Sequence, residues 1–390
     1  MTHSSFIPLS IPVLHQNEWT YIKDCLDTGW VSSVGSYVTN FEKNLAQYVK
    51  SPYAIATING TAALHICLQL SGVGLNDEVI APDLTFIAPI NAITYVGAKP
   101  VFMDCDPFLN MDGKKLKAFC ENECHFINGV LVNRKTNAPV KAIIVVHVFG
   151  HPAMMDDIVD IGKKYNLSII EDATESLGSK YTAGRYAGKF TGTIGDFGCY
   201  SFNGNKIITT GSGGMIVTNS EAYANKAKYL TTQAKDDAKL FVHHEIGYNY
   251  RLSNVLAAMG CAQLEKLDDI ISKKRANFDL YQKELASVPG LSLLEEPNGT
   301  QSNYWFYTLK INSSVYGLSN LELMSLLEEN KIETRPVWEL NHRQRPFKDC
   351  PTYQIEQAPI YHSTCLNLPC SINLTVDDIK RVCSIIKQKM

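Results

Sequence analysis

A single lysine, set in a turn between two apolar segments, is the residue best suited to covalent chemistry in this chain. Lys206 follows Ser201-Phe202-Asn203-Gly204-Asn205, and the glycine run Gly211-Ser212-Gly213-Gly214 comes soon after it. Strand-like apolar residues precede this stretch at 197–200 and follow it at 215–217, so the lysine is predicted to lie in a loop between strands. An amine in such a loop can form a Schiff base with a cofactor carbonyl, although a lysine alone would more often be a surface residue.

A turn that leads from a strand into a helix is the candidate phosphate site. The pattern predicts a buried strand over Tyr53–Thr57 and a helix over Ala62–Leu70. The first N–H groups of a helix lack intrahelical partners and lie at the positive end of its dipole, which makes them an anion site. The candidates for phosphate binding are Gly60, Thr61 and Ala62 of this turn and Ser201 beside the lysine. An ordinary strand-to-helix turn would show the same pattern.

Two further side chains are suited to a flat, cationic ring. Asp172 ends a predicted strand over Leu167–Asp172, and Phe86 opens a predicted helix over Phe86–Tyr95. A partly buried carboxylate favours the charged form of a protonated ring nitrogen beside it, and an aromatic side chain offers a stacking face. Pyridoxal 5′-phosphate (PLP) needs an amine, such an anion, phosphate donors and a stacking face. The sequence therefore predicts PLP as the cofactor and Lys206 as the catalytic residue.

Alternating strand and helix patterns must bring these residues together. The predicted strands of this part are 53–57, 78–81, 100–104, 142–146 and 167–172. Strands that alternate with helices favour a mainly parallel sheet with helices on both faces. Because ligands collect at the carboxyl ends of such strands, we expect Asp172, the Gly60 turn and the loop after Ala81 on one rim.

The character of the chain changes after about residue 252. Two long helices are predicted over Leu252–Ile271 and Lys273–Ala286, and the rest of the chain mixes strands such as Tyr304–Ile311 with helices. We therefore expect a large PLP-binding α/β domain with an N-terminal arm over 1–252. A smaller C-terminal α+β domain would follow over 253–390.

Composition argues against several other classes of protein. The 390 residues are 45% hydrophobic and 19% charged with a formal net charge of -3, which fits an ordinary globular protein and suggests no nucleic-acid partner. No apolar run is long enough to span a bilayer, and the N-terminus lacks the pattern of a signal peptide.

The eleven cysteines are scattered, so we interpret them as reduced thiols of a cytoplasmic protein. Cys120 and Cys124 have no second ligand pair nearby, and no metal site is predicted.

Six motifs, taken in order, carry a resemblance to a known family. They are Gly29-Trp30-Val31-Ser32-Ser33, Asn59-Gly60-Thr61-Ala62-Ala63-Leu64, Asp83-Leu84-Thr85-Phe86, Glu171-Asp172-Ala173-Thr174-Glu175-Ser176-Leu177-Gly178, the lysine stretch, and Gly247-Tyr248-Asn249-Tyr250-Arg251-Leu252-Ser253-Asn254. Each motif is weak alone, but their order and spacing are specific. From about Pro8 to Val382 the chain resembles the sugar aminotransferases of the DegT/DnrJ/EryC1/StrS type. These are fold-type-I PLP enzymes that act on nucleotide-linked keto sugars.

The resemblance implies a homodimer in which each active site lies at the subunit interface. Asn249 would reach the cofactor phosphate of the neighbouring subunit, and Arg251 would lie near the same interface as a candidate substrate residue. Glu175 stands near the ring hydroxyl, where many relatives carry Gln. Arg335 falls in a segment that closes over the sugar in relatives, although an ordinary surface arginine would fit equally well.

The substrate that the resemblance implies is UDP-4-keto-6-deoxy-N-acetylglucosamine, with glutamate as the amino donor. Glu175 and the run Asn203-Gly204-Asn205-Lys206 look most like the enzymes that aminate C4 of this sugar on the way to bacillosamine and legionaminic-type sugars. Such a transaminase would serve bacterial surface-glycan biosynthesis.

Other interpretations stay open from the sequence. A GDP-4-keto-6-deoxymannose aminotransferase of the perosamine type needs the same catalytic residues and differs in its nucleotide pocket. A non-catalytic protein with the PLP fold would be indicated by a missing lysine or a DNA-binding domain, and neither is seen. The Gly211-Ser212-Gly213-Gly214 run lacks the third glycine of a dinucleotide loop. Some dehydratases of the family replace the lysine by histidine, but His147, His151, His243 and His244 are not at that position and are interpreted as polar or core residues.

Overall fold

A large β-sheet with helices on both faces forms the main body of the structure, a computed structural model that describes residues 5–237 and 239–388. The signal-peptide prediction rests partly on residues 1–4, which lie outside the described residues. The helices are α1 (Gln16–Thr28), α2 (Ser36–Val49), α3 (Gly60–Leu70), α4 (Ala88–Tyr95), α5 (Gly113–Asn122), α6 (Met155–Tyr165), α7 (Glu221–Thr231), α8 (Asn254–Leu264), α9 (Leu267–Leu285), α10 (Ser313–Tyr316), α11 (Asn320–Glu329), α12 (Gln357–Thr364) and α13 (Val376–Lys387).

The strands are mostly short, as is usual for an α/β protein. They are β1 (Tyr53–Thr57), β2 (Glu78–Pro82), β3 (Lys99–Met103), β4 (Cys124–Ile127), β5 (Val130–Asn133), β6 (Pro139–Val146), β7 (Ser168–Asp172), β8 (Lys180–Tyr181), β9 (Phe197–Ser201), β10 (Gly214–Thr218), β11 (Leu291–Leu293), β12 (Thr300–Gln301), β13 (Tyr307–Ile311), β14 (Arg335–Pro336), β15 (Thr352–Tyr353) and β16 (Cys365–Leu368). Short 3₁₀ turns occur at Val148–Gly150 and Asn341–Arg343.

The large sheet has a parallel centre. Its strand order is β1-β10-β9-β7-β6-β2-β3-β15. Every neighbouring pair from β9 to β15 is parallel, whereas β1, β10 and β9 pair antiparallel and the β4–β5 hairpin adds antiparallel to β6. The carboxyl ends of β2, β6, β7 and β9 therefore share one rim. The predicted α/β class with a mainly parallel sheet is confirmed.

Successive residues of the central strands belong to two different cores. Ile144 of β6 and Ile170 of β7 lie in the core that contains Leu64 of α3. Their chain neighbours Ile143 and Ile169 lie in the core of α5 and α6. Because side chains alternate between the faces of a strand, both faces of the sheet are covered.

The C-terminal part builds a second, antiparallel sheet in the order β11-β13-β16-β14. Helices α9, α11 and α13 pack around it. Two short strands return to the N-terminal half, because β15 pairs with β3 and β12 pairs with β8. The domain boundary after Leu252 stays a prediction, since the helix that follows it, α8, packs against α1 and α2.

Two predicted helix boundaries are wrong. The long helices expected over Leu252–Ile271 and Lys273–Ala286 are α8 and α9, and the break falls at Glu265 and Lys266 instead. Apolar spacing continues through this break, so periodicity does not locate it. The helix expected from Phe86 begins at Ala88 and carries a proline in its first turn, a position that suits proline. Phe86 therefore precedes α4.

No helix of the described residues has both the length and the apolar character needed to cross a membrane.

Candidate active site

A cleft of about 290 Å³ opens where the central parallel strands end. Segments distant in sequence meet there: the turn between β1 and α3, the loop between β2 and α4, the end of β7, and the loop between β9 and β10. The predicted site residues that line the cleft are Gly60, Thr61, Phe86, Asp172, Glu175, Ser201 and Lys206. Asn59, Leu64, Thr85, Ala88, Pro89, Thr174, Asn203 and Ser212 complete the lining.

A larger groove of about 640 Å³ lies elsewhere, next to Tyr48. Two of its charged residues are already engaged, since Asp268 accepts the Tyr48 hydroxyl at 2.7 Å and Arg275 pairs with Glu296 at 2.8 Å. Converging reactive groups identify an active site better than size does, and we assign the site to the smaller cleft.

The amine of Lys206 lies close to a carboxyl group and to an aromatic ring. Its Nζ is 3.7 Å from Glu175 Oε1 and 4.1 Å from the centroid of the Trp305 ring. The backbone N–H of Lys206 donates to the carbonyl of Asn203 at 3.0 Å, which closes the turn after β9. Only 12% of the side chain is exposed. The structure therefore presents a largely enclosed amine at the cleft, as attack on a carbonyl cofactor requires.

Asp172 is a buried carboxyl group at the end of β7. Its Oδ1 accepts the N–H of Thr174 at 3.1 Å. Burial raises the pKa of Asp172, while the hydrogen bonds from Thr174 and the positive charge of Lys206 act against this rise. A cation placed against the carboxyl group would favour its ionised form. The protonated ring nitrogen that the sequence predicts as its partner would supply that cation.

Glu175 is the second buried carboxyl group of the cleft. Burial raises the pKa of Glu175 to about 7, and Lys206 and a hydrogen bond from Phe149 limit the rise. The Phe149 N–H donates to Oε2 at 2.8 Å. Near neutral pH the group is present in both protonation states. It can therefore accept a hydrogen bond from a ring hydroxyl or donate one to it.

The start of α3 provides free donors for an anion. Asn59 caps the helix, and its Oδ1 accepts the N–H of Ala62 at 2.8 Å. A side chain at Gly60 would crowd the turn, because a Cβ there would lie 3.0 Å from the Ser201 Cβ. Gly60 and Thr61 line the cleft, whereas the N–H of Ala62 already has a partner. This geometry suits Gly60, Thr61 and Ser201 as phosphate contacts and does not favour Ala62.

Comparison with known proteins identifies the family to which these residues belong. Residues 12–387 match the DegT/DnrJ/EryC1/StrS aminotransferase family. The chain belongs to this family.

Three relatives illustrate the match. The chain is 37% identical to a GDP-perosamine synthase of Caulobacter vibrioides over 98% of both sequences. It is 39% identical to EpsN of Bacillus subtilis, provisionally assigned as a pyridoxal phosphate-dependent aminotransferase, over 97% of this chain and 95% of the relative. Among solved structures, an aminotransferase of this family from Brucella abortus superposes with a TM-score of 0.86 at 26% identity, covering 95% of this chain and 94% of the other.

Membership of the family confirms the predicted activity and cofactor: the chain is a PLP-dependent sugar aminotransferase. The cleft fits PLP on its own geometry as well. It offers an enclosed amine, a buried carboxyl group, and a glycine turn that a single Cβ would crowd. Phe86, half exposed at the cleft, provides an aromatic face. The dinucleotide-loop alternative is wrong, because the glycine run leads into β10 and not into a helix.

Beside the PLP cleft of this aminotransferase, a buried histidine supports the strand that carries Asp172. His147 Nε2 lies 3.0 Å from Glu171 Oε2, and its Nδ1 accepts the N–H of Ala153 at 3.0 Å. The ring proton is therefore on Nε2 and is donated to the carboxylate. Glu171 also accepts the backbone N–H groups of Gly192, Ile194 and Gly195. His147 is thus a hydrogen-bonded core residue.

The other three histidines weighed from the sequence lie in different surroundings. His151 is fully buried, and burial lowers its pKa to about 4. His243 and His244 are exposed, and His244 lies 3.3 Å from the carboxylate of Asp236. None of the three lines the cleft as the described residues form it.

Four predicted site residues lie outside the cleft formed by the described residues. One is Ala62, whose N–H donates to the Asn59 cap, and the others are Asn249, Arg251 and Arg335. Asn249 is exposed on the surface of this subunit, so its role at a shared site stays a prediction. Arg251 is nearly buried and pairs with Glu42 inside the same chain, which does not favour a substrate role. Arg335 is exposed and pairs with Glu333 at 2.6 Å, and its role is also untested.

Sequence reasoning missed the aromatic residues around the amine. Trp305 and Phe149 are buried, and the ring centroids of Phe149 and Trp338 lie 4.5 Å apart. Phe149 adopts a φ of 55°, a conformation that is costly for a bulky residue and that aims its N–H at Glu175. These residues carry no local motif, and only the dense aromatic run around Trp305 is a signal in the sequence.

Proposed function

We propose that this aminotransferase moves the amino group of glutamate to C4 of a nucleotide-linked 4-keto-6-deoxy sugar for bacterial surface-glycan biosynthesis. The observation that carries the proposal is the Lys206 amine in one cleft with the buried carboxyl group of Asp172, in a chain of the sugar aminotransferase family. Glutamate as donor is what the family resemblance implies.

We favour a GDP-linked sugar over a UDP-linked one. From the sequence, Glu175 and the Asn203 run suggested UDP-4-keto-6-deoxy-N-acetylglucosamine, with GDP-4-keto-6-deoxymannose as the alternative. The relative from Caulobacter vibrioides, matched over nearly its whole length, is a GDP-perosamine synthase. That relationship supports the alternative better than the original interpretation.

The residues of the cleft divide the work of transamination. When bound, PLP supplies an electron sink that stabilises negative charge at the carbon beside the substrate nitrogen. Lys206 would hold the cofactor and then move a proton at that carbon, a contribution of roughly 10²–10⁴-fold for a positioned acid-base group. Asp172 would keep the ring nitrogen protonated. Gly60, Thr61 and Ser201 would hold the phosphate.

A direct comparison of the two nucleotide sugars tests this proposal. Purified protein would receive glutamate with either GDP-4-keto-6-deoxymannose or UDP-4-keto-6-deoxy-N-acetylglucosamine, followed by kcat/KM and by NMR of the product at C4. We expect amination of the GDP sugar to be the more efficient. A preference for the UDP sugar would restore the original interpretation, and amination of neither sugar would refute a 4-keto sugar substrate.

A homodimer with shared active sites is part of the same proposal. Trp19 of α1 and Trp30 in the turn after it are exposed, as are Phe241 and Ile246 in the segment before Asn249. Large apolar side chains that are exposed on a single chain are candidates for burial at a protein interface. A second subunit on these surfaces would bury them and would explain why Asn249 lies outside the cleft of its own chain.

A further inference from the structure

We propose that Trp305 is a positioning residue for Lys206, which it holds through its ring face and through its indole N–H. The inference rests on the proposed function, because it assigns this ring to the reactive amine. It adds a residue from the C-terminal half of the chain to a site built otherwise on the large parallel sheet.

Trp305 contacts the reactive lysine at two points. The Lys206 Nζ lies 4.1 Å from the ring centroid. The indole Nε1–H donates at 2.6 Å to the carbonyl of Asn205, the residue directly before the lysine. One contact restrains the end of the lysine side chain and the other restrains its backbone.

Trp305 is itself held rigidly. Its backbone N–H donates to Asn303 Oδ1 at 2.9 Å, and its backbone carbonyl accepts a hydrogen bond from the Lys274 amine at 2.6 Å. Lys274 and Asn303 are both buried. The Asn303 side-chain amide also donates at 3.0 Å to the carbonyl of Glu175. The segment that carries the Trp305 ring therefore also holds the backbone of Glu175, whose carboxyl group lies near the same amine.

The physical effect is to limit where the amine can go. A free lysine side chain samples many rotamers, and ordering it carries an entropic cost. A buried aromatic face attracts an ammonium group and excludes water on that side. With Trp305 on one side and Glu175 3.7 Å away, the amine is kept at the cleft. Removal of the ring should lower the fraction of lysine that is placed to react.

Two substitutions separate the contacts. Trp305→Leu removes the ring face and the N–H, whereas Trp305→Phe keeps a ring face and removes the N–H. Cofactor-free protein would be mixed with PLP, and the rise of the visible absorbance of lysine-linked cofactor would be followed in time. We expect the linkage rate to fall on the order of 10- to 30-fold for Trp305→Leu and by less for Trp305→Phe.

A second ligand distinguishes positioning of the lysine from damage to the pocket. Pyridoxamine phosphate carries an amine in place of the carbonyl, so it occupies the pocket without linking to lysine. Its dissociation constant should be unchanged in both Trp305 variants. A linkage rate equal to wild type in Trp305→Leu, or an equal loss in PLP linkage and in pyridoxamine phosphate affinity, would overturn the proposal. Should Trp305→Leu fail to fold, Trp305→Phe decides by the same two measurements.

Two further variants complete the experiment. Tyr304→Leu removes a neighbouring buried ring that stacks on Phe278 at 3.9 Å, and it should lower thermal stability without slowing linkage. If Tyr304→Leu slows linkage as much as Trp305→Leu does, the effect is general and the proposal fails. Lys206→Ala should not develop the band of lysine-linked cofactor and should show only unlinked PLP. A lysine-linked band in that variant would refute the proposed function while leaving the pocket measurements interpretable.

Discussion

At the scale of residues, Lys206, Glu175 and Asp172 form one set of interacting charges. Lys206 lowers the pKa of both buried carboxyl groups, and burial raises both. Burial acts most strongly, which leaves Glu175 with a pKa of about 7. The protonation state of Glu175 therefore changes in the range in which most enzymes work.

A Glu175→Gln variant tests that protonation state through stability. A buried carboxyl group with a raised pKa favours the folded state at pH values below its ordinary pKa of 4.5, and this contribution is lost as the pH rises to about 7. Between these limits we expect cofactor-free wild type to lose up to roughly 3 kcal/mol of unfolding free energy relative to the variant. Urea unfolding at several pH values measures the difference. The exposed Glu329→Gln is the control, and a pH-independent difference for Glu175→Gln would contradict the shifted pKa.

The residues that the cofactor's chemistry demands were predictable from the sequence. The side chains that contact those residues in the folded protein were not. Lys206 and Asp172 stood out because a Schiff-base amine and a ring-nitrogen anion are required by PLP. Trp305 did not, because its contact with the amine spans 99 positions of sequence (305 − 206) and has no local pattern. Ala62 was assigned to the phosphate from its place at a helix start, but the Asn59 cap takes its N–H.

At the scale of elements, the turn from β1 into α3 determines whether a phosphate fits. Glycine at position 60 leaves space that a Cβ would crowd, because that Cβ would lie 3.0 Å from Ser201 and from Thr174. The helix start then supplies N–H groups and the positive end of the dipole.

Gly60→Ala should therefore weaken anion binding with little effect on folding. We expect the affinity for PLP to fall on the order of tenfold, about 1.4 kcal/mol, because the new methyl group pushes the Ser201 side chain out of place. Fluorescence titration of cofactor-free protein measures it. Gly74→Ala is the matched control, since a Cβ at that position has no atom within 4 Å. Equal affinities for the two variants would show that the turn does not carry the phosphate.

Element positions were predictable where local signals agree. The strand over Tyr53–Thr57 was placed correctly from its apolar pattern. The break at Glu265 was not, because apolar spacing runs on through it, so periodicity does not mark where α8 ends. The start of α4 was placed two residues early, at Phe86. Pro89, which suits the first turn of a helix, is the local signal that marks the true start.

At the scale of the whole molecule, the C-terminal half takes part in the site and does not merely flank it. Trp305 contacts Lys206, and Asn341 and His342 of the C-terminal half hydrogen-bond to Asp83 in the loop before Phe86. Such long-range contacts follow from the packing of the two sheets, which a single sequence does not reveal. The family resemblance, in contrast, gave the fold class and the activity correctly.

If the two subunits of a dimer share their active sites, two inactive variants should restore activity in a mixed dimer. Lys206→Ala and Asn249→Ala should each be inactive or severely impaired as pure proteins. If Asn249 serves the partner's site, a mixed dimer of the two variants has one site with both lesions and one intact site. Mixing after reversible dissociation should therefore restore part of the activity. No recovery, in mixtures shown by mass to contain mixed dimers, would place Asn249 outside the neighbouring site.

The central claim is that Lys206 is the residue that binds PLP covalently. Treatment of the PLP-loaded protein with borohydride fixes the cofactor on the lysine that holds it, and peptide mass spectrometry then locates the modification. We expect the cofactor mass on the peptide that contains Lys206 and on no other. Modification of a different lysine, such as the buried Lys274, or no modification of a fully loaded protein, would contradict the account.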